Sequence, residues 1–256
     1  MTISIYNDFS DYMTFNGINN VERIEVEFKY KNTKIGITEG LIINQFDAMR
    51  DFHEKAMGFN GYVRNKLNNN TGKVVEEYKV SIRKLSADIN IIKSNGAKNS
   101  FEELIVKYGD KFINKGEECI REIYKSDYIG IITRSMRRTE ICLGDTDFRN
   151  LGKDNLTNVV SFGNCSYNML EMDCFFLLSR LKRKGMKLDF KKLAKEFCYI
   201  EGLNENSSEF LIALISYPYE FVRCCNKYRV GKNKWNEEKF PEKLIKTIIE
   251  ERDFLP

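Results

Sequence analysis

Residues 141–180 read ICLGDTDFRNLGKDNLTNVVSFGNCSYNMLEMDCFFLLSR, and they carry the most structured pattern in the chain. The apolar residues at 141–143 predict a short buried strand, which a tight Gly-Asp loop follows. A second apolar stretch at 158–162 predicts another buried strand, and a helix begins near Met169. The two strands are therefore expected to pair as a hairpin that carries a polar loop.

The polar residues of this loop have a specific spacing. Asp145 is followed five residues later by Asn150, and Asp173 lies at the start of the next helix. This spacing resembles the H-G-D-x-x-x-x-N segment of aminoglycoside and choline phosphotransferases, which have a protein-kinase-like fold. In such kinases the Asp accepts the proton of the substrate hydroxyl, and the Asn and a second Asp hold Mg²⁺ against the phosphates.

The resemblance extends to the CotS/CotI-type spore coat proteins, which are built on that phosphotransferase fold. The stretches that carry it are LGDTDFRN at 143–150, VVSF at 159–162, MLEMDCFFLLSRL at 169–181, the ending SYPYEFVRCCNKY…KNKW…EKL at 216–244 and, more weakly, FDAMRDFHEKAMGF at 46–59. The resemblance implies a kinase-like C-terminal lobe, other spore coat proteins as partners, and synthesis in the cytoplasm followed by location in the spore coat.

Two departures from the family pattern affect the chemistry. Leu143 stands where the family has His, and Ser161 stands where the metal-binding Asp of the D-F-x motif belongs. A neutral hydroxyl gives a hard cation much less charge than a carboxylate does. Asp145 is therefore interpreted as an inactive relic base position, Asn150 as an empty relic metal position, and Asp173 as a structural hydrogen-bond acceptor.

The N-terminal part of the chain departs from the family in the same direction. The forty residues before Leu41 contain neither a G-x-G-x-x-G loop nor a V-A-I-K-like strand. Alternation of apolar and polar residues predicts a β-hairpin at 21–38. We expect residues 1–40 to be the remnant of a truncated N-terminal lobe and residues 41–256 to form the helical kinase-like lobe.

Helical spacing predicts that the remainder is mostly helix, so the fold class is α+β, mostly helical, with a small N-terminal β-hairpin remnant. Residues 41–138 are expected to pack helix on helix, and 128–138 is one of these helices. Ser100 with Glu103, Asp189 and Ser207 are predicted to cap three helices.

The composition narrows the classes of protein to which the chain could belong. The 256 residues carry a net charge of +4, which is spread along the chain. This weak excess of positive charge does not indicate a nucleic-acid partner. No stretch approaches the 18 apolar residues of a membrane span, so none is expected. The seven cysteines form no C-x-x-C pair, which indicates buried thiols in a reducing compartment.

Several other polar residues have both a structural and a functional interpretation. The single histidine, His53, is interpreted as a satisfied, partly exposed residue of a helix. Two basic clusters could bind an acidic partner or a phosphate, or could be solvated helix faces. They are Arg134, Arg137 and Arg138, and the run Arg180, Lys182, Arg183 and Lys184.

Three functions remain open on the sequence. The first is a non-catalytic, pseudokinase-like spore coat structural or assembly protein that needs no cofactor. The second is a small-molecule phosphotransferase that uses ATP and Mg²⁺ with Asp145 as base. The third is a pseudokinase whose residual cleft still binds a sugar or a nucleotide. Ser161 and the missing phosphate loop favour the first.

Overall fold

The computed structural model describes residues 8–26, 36–59, 67–231 and 239–252, and most of these are helical, as predicted. The helices are α1 Phe9–Phe15, α2 Glu39–Ala56, α3 Lys73–Asn95, α4 Ser100–Lys125, α5 Tyr128–Arg138, α6 Glu171–Arg183, α7 Phe190–Ile200, α8 Glu205–Ser216, α9 Tyr219–Arg229 and α10 Lys239–Arg252. The strands are β1 Ile18–Asn20, β2 Asn68–Asn69, β3 Ile141–Cys142, β4 Leu151–Lys153, β5 Thr157–Val159 and β6 Ser166–Tyr167.

The chain forms two compact units, and each combines two separate stretches of sequence. The first unit contains residues 1–72 and 126–215, and the second contains residues 73–125 and 216–256. The six strands found among the described residues lie in the first unit. The division into a 1–40 remnant and a 41–256 lobe stays a prediction.

The first unit contains two small sheets, and their strand order corrects one expectation. One sheet has the order β1-β5-β4, with β1 parallel to β5 and β4 antiparallel to it, and the other has the order β2-β6-β3. The predicted hairpin between 141–143 and 158–162 is therefore wrong, because β3 pairs with β6 and β5 pairs with β4. Strands of two or three residues have too little alternation to identify a partner.

The predicted hairpin at 21–38 is only partly covered by the described residues. Residues 21–26 and 36–38 are not in a strand, and residues 27–35 lie outside the described part of the chain. The strand found near here is β1, three residues earlier than the predicted start. Its pairing with β5 connects the N-terminal segment to the strands around the polar loop.

Helix α2 packs against β3, β4, β5 and α7 of the first unit. The Thr38 hydroxyl accepts a hydrogen bond from the Leu41 N–H at 3.3 Å and caps the helix. Phe46 and Phe52 are fully buried on its inner face, and the Phe46 ring meets Phe197 of α7 edge-on at a centroid distance of 5.3 Å. Burial of this face fixes α2 against the strands and α7.

Helix boundaries follow the predictions more closely than the caps do. Helix α5 has the predicted bounds, and the Asp189 carboxylate caps α7 as expected. The other two predicted caps are wrong. Asn99 accepts the Glu102 N–H at the start of α4, and Asn204 accepts the Ser207 N–H at the start of α8. In both cases an Asn upstream of the predicted Ser performs the same role.

The second unit is held by stacked aromatic rings. Phe112 of α4 stacks on Phe221 of α9 at 3.9 Å, and Tyr78 of α3 stacks on Tyr217 at 3.5 Å. Each pair buries two large apolar rings between neighbouring segments of the unit. The part of the chain that the structure describes contains no helix with both the length and the apolar composition to cross a bilayer.

Candidate functional site

The polar loop of residues 143–150 leaves β3 through a turn that requires glycine. Gly144 has φ +78°, and a Cβ at this position would lie 2.5 Å from the Asn164 carbonyl oxygen. Left-handed backbone and this close approach both exclude a side chain here. The turn directs Asp145 and the residues after it toward the strand ends of β4 and β5.

Asp173, in the first turn of α6, fixes the start of this loop. One carboxylate oxygen accepts the Leu143 N–H at 2.7 Å, and the other accepts the Gly144 N–H at 2.8 Å. The carboxylate is completely buried. Two donors that would otherwise lack partners are thereby satisfied, and the loop is tied to the helix below it.

His53 of α2 completes a buried carboxylate–histidine–carboxylate chain. Its Nε2 lies 3.0 Å from Asp173 Oδ2, and its Nδ1 lies 2.7 Å from Glu201 Oε1 at the end of α7. Burial alone would lower the pKa of His53, but Glu201 and Asp173 outweigh burial and raise it to about 10. His53 is therefore a buried imidazolium, and its interpretation as a partly exposed residue is wrong.

The same histidine belongs to a group with metal-ligand chemistry. Ligand atoms of His53, Cys142 and Asp173 lie within 4.8 Å of one another. Both histidine nitrogens, however, already face carboxylates, and burial raises the pKa of the Cys142 thiol, which donates to the Met169 carbonyl oxygen at 3.0 Å. Each of these three side chains therefore has a hydrogen-bond partner within the protein, and together they form a buried polar cluster.

Asn150 and Ser161 form a reciprocal pair that closes the loop. The Asn150 amide nitrogen donates to the backbone oxygens of Asp145 at 2.8 Å and Ser161 at 3.2 Å. The Asn150 side-chain oxygen accepts the Ser161 N–H at 2.9 Å. The Ser161 hydroxyl in turn accepts the Gly163 N–H at 3.2 Å. Each of these side chains is thus bonded to nearby backbone.

Asp145 lies in an ion pair. Arg180 of α6 donates one nitrogen to Asp145 at 2.9 Å and another to Asp147 at 2.7 Å. The Asp145 side chain is one-third exposed, at 33%. One guanidinium therefore neutralises much of the negative charge that the loop presents.

Two further residues attach the loop to its surroundings. The buried amide of Gln45 in α2 donates to the backbone oxygens of Thr146 at 3.1 Å and Leu151 at 2.8 Å. The Thr146 hydroxyl donates to the Asp173 backbone oxygen at 3.1 Å. The loop is consequently held from α2 on one side and from α6 on the other.

A second buried ionic cluster lies at the other end of β3. Arg134 of α5 makes paired hydrogen bonds to Glu140 at 3.0 and 3.1 Å and to Glu171 at 2.9 and 2.8 Å. Both carboxylates are completely buried. Arg134 is therefore not part of a solvated face, which corrects that interpretation for this residue.

The predicted site residues gather around the loop. Asp145, Asn150 and Ser161 lie together, while Leu143 is buried in the core and offers only its backbone N–H to Asp173. Sequence reasoning missed the roles of His53, Glu201 and Gln45. The only signal in the sequence for the role of His53 was its position on an apolar helix face. Its partners, Asp173 and Glu201, are distant in sequence.

The arrangement of helices and strands is a kinase-like fold. The structure is similar to the crystal structure of aminoglycoside phosphotransferase from Alicyclobacillus acidocaldarius subsp. acidocaldarius DSM 446, with a TM-score of 0.66 at 14% sequence identity. The match covers 85% of this chain and 64% of that one. The predicted fold class is therefore confirmed.

In sequence, the chain is similar to spore coat protein S of Bacillus subtilis (strain 168). The two are 23% identical over 197 residues, which cover 74% of this chain and 55% of that protein. No family model matches the chain. The predicted resemblance to CotS-type spore coat proteins with a kinase-like fold is confirmed, and the chain spans about half the length of the relative that it matches.

Proposed function

We propose that this chain is a non-catalytic, pseudokinase-like structural or assembly protein of the spore coat, with other coat proteins as its partners. Its similarity to spore coat protein S supports the location, and the state of the loop supports the absence of catalysis. Neither ATP, Mg²⁺ nor nucleic acid is needed for this role.

The observation that carries the proposal is the pairing of Asn150 with Ser161. The side-chain oxygen of Asn150, through which an Asn ligates Mg²⁺, accepts the Ser161 N–H at 2.9 Å. Ser161 supplies a neutral hydroxyl where the family places a carboxylate. The Asn150 oxygen and the Ser161 hydroxyl include no carboxylate, so they do not fit a magnesium ion that must hold nucleotide phosphates.

The environment of Asp145 supports the same proposal. A catalytic base needs a carboxylate oxygen that can receive the proton of the substrate hydroxyl, and Asp145 Oδ1 already accepts a hydrogen bond from Arg180 at 2.9 Å. Arg180 also bridges to Asp147 and so favours this arrangement of the loop. This ion pair supports a structural role for Asp145.

Purified protein should release no phosphate from ATP in the presence of Mg²⁺, alone or with sugars and aminoglycosides. Asp145→Asn should leave this baseline unchanged. A fluorescent fusion carrying the substitution should reach the coat of a spore-forming host as the unsubstituted fusion does.

A thermal-shift series provides a second readout. ATP with Mg²⁺ should leave the melting temperature unchanged, whereas a ligand present at about a hundred times its Kd stabilises by about 2.7 kcal/mol. Ser161→Asp serves as the matched variant, and it should gain stabilisation by Mg²⁺ without phosphate release.

The alternative is an ATP- and Mg²⁺-dependent small-molecule phosphotransferase with Asp145 as base. It is favoured by one observation, which is that Asp145 remains partly exposed in a loop whose start is fixed by Asp173. Magnesium-dependent phosphate transfer that disappears in Asp145→Asn would establish this alternative and reject the proposal.

A further inference from the structure

Residues 9–21 form a short motif of one helix and one strand, and they are named the strap here. The chain leaves α1 through Gly17, whose φ of +84° suits glycine, and enters β1 at the next residue. The Asn20 side chain of β1 donates to the Ser10 hydroxyl of α1 at 3.3 Å. The helix and the strand are thus joined to each other as well as to the rest of the first unit.

The helix of the strap attaches to the first unit through aromatic rings. Phe9 is 4% exposed, and its ring meets Phe162 edge-on at a centroid distance of 6.0 Å and Phe59 at 5.0 Å. Phe52 of α2 also contacts the Phe162 ring, at 6.4 Å. Phe162 directly follows Ser161, so the strap contacts the polar segment on its C-terminal side.

The strand of the strap contacts the same segment on its N-terminal side. Strand β1 lies parallel to β5, and Asn20 is opposite Val159. The Val21 N–H donates to the Val159 carbonyl oxygen at 3.0 Å. The strap therefore holds one residue two positions before Ser161 and another directly after it.

The hydrogen bonds that close the polar loop lie between these two contacts. The Val160 N–H donates to the Asn150 carbonyl oxygen at 2.9 Å, and the Ser161 N–H donates to the Asn150 side-chain oxygen at 2.9 Å. Loss of the strap would free Val159 and Phe162, which flank both donors. The pairing of Asn150 with Ser161 is therefore coupled to the docking of the strap.

We infer that the strap is a releasable contact that keeps the polar loop closed. While the strap is docked, Asn150 stays paired with Ser161. Release of the strap breaks this pair and uncovers the rings of Phe59 and Phe162. The inference rests on the proposed function, in which the paired loop is the non-catalytic form, and it adds a conformational control to that loop.

The attachment of the strap is small enough to open by itself. Helix α1 has seven residues and β1 has three, and among the described helices and strands α1 packs most closely on β1. Lys55 of α2 adds a hydrogen bond to the Gly17 carbonyl oxygen at 3.2 Å. Segments with few attachments open locally, without unfolding of the whole protein. The Leu143 and Gly144 N–H groups, which donate to the buried Asp173, should stay protected when the strap leaves.

Hydrogen–deuterium exchange measured by NMR for single amides tests this inference with two matched substitutions on α1. Phe9→Ser removes the buried ring, whereas Phe15→Ser removes a ring that is 71% exposed. The Val160 and Ser161 amides should exchange at least about tenfold faster in Phe9→Ser and within about twofold of the unsubstituted protein in Phe15→Ser. Fluorescence of anilinonaphthalene sulfonate should rise in Phe9→Ser alone, because this dye binds uncovered apolar surface.

Val21→Pro is a second variant, and it releases the strand of the strap without changing the aromatic rings. Proline has no N–H to donate to the Val159 carbonyl oxygen. This variant should accelerate exchange of the same two amides. It therefore tests the inference even where Phe9→Ser does not fold.

Val160 and Ser161 amides that stay fully protected in the strap variants would overturn the inference. Equal acceleration of the Leu143 and Gly144 amides would also overturn it, because the strap would then open only with the whole unit. Phosphate release by the unsubstituted protein would reject the proposed function without changing this exchange pattern. Failure of the exchange prediction would leave the phosphate-release result unchanged.

Discussion

At the scale of single residues, Asp173 determines the conformation of the polar loop. Its carboxylate is shielded from water and accepts from Leu143, Gly144 and His53. A substitution that removes the Asp173 carboxylate leaves these buried N–H donors without an acceptor. The same loop contains Asp145, which is partly exposed and bonded to an arginine, so the two aspartates should respond differently to the same change.

Asp173→Asn should lower the free energy of unfolding by roughly 3–5 kcal/mol, because the new NH2 group must face a buried N–H donor and the His53 imidazolium loses a charged partner. Asp145→Asn, the matched control, should cost less than about 1 kcal/mol. Urea denaturation of both variants measures the difference. Equal losses would show that Asp173 does not organise the loop.

His53 makes stability depend on pH in a defined direction. Its pKa is raised to about 10 in the folded protein, from an ordinary value near 6.5. A histidine whose pKa is higher in the folded state stabilises fully below its unfolded pKa, and this contribution is lost as pH rises toward the folded pKa. The contribution should therefore decline between about pH 6.5 and 10.

The unsubstituted protein should lose roughly 2 kcal/mol relative to His53→Gln between about pH 6.5 and 8.5, since glutamine does not titrate. The buried thiols, whose pKa values are also raised, are the same in both proteins, so their contribution cancels in this difference. Urea denaturation across this range checks the slope. Parallel curves for the two proteins would contradict a charged His53.

At the scale of elements, Arg134 joins α5 to the start of β3 and to α6. Arg134→Ala should cost roughly 3–5 kcal/mol, because Glu140 and Glu171 would remain buried without their cation. Arg137→Ala, one turn away and exposed, is the control and should stay within about 0.5 kcal/mol. A melting curve for each variant decides whether the cluster is structural.

The elements also show what sequence could predict and what it could not. Helices such as α5 were predictable because periodic burial and turn residues are local signals. The pairing of β3 with β6 was not, because a two-residue strand contains no register information. The Asn99 and Asn204 caps were missed because several polar residues near each helix start could perform the same role.

The candidate site, like the helices and strands, could be predicted only in part. The spacing of Asp145, Asn150 and Asp173 located the loop and its supporting helix. The spacing did not identify Arg180, which was assigned only to a basic run, or the histidine chain through Glu201. Those contacts join residues more than thirty positions apart, and only the folded chain brings them together.

At the scale of the whole molecule, the prediction of buried thiols is confirmed, since all seven cysteines are free and buried. None should react with Ellman's reagent within minutes in native buffer, and all seven should react after denaturation. Burial raises the pKa of thiols such as Cys174 and Cys225, which further lowers their reactivity. Rapid native labelling of most of them would contradict this expectation.

The pairing of β1 with β5 has a consequence for the order of events during synthesis. Asn19 and Asn158, hydrogen-bonded neighbours in this sheet, are 139 residues apart. A ribosome that adds roughly 5–20 residues per second delivers the second strand on the order of 10 s after the first. Until then the nascent β1 has no partner strand in its sheet. Contacts of such long range also slow folding after release. The first unit should therefore depend on chaperones or on early helix formation while the ribosome completes it.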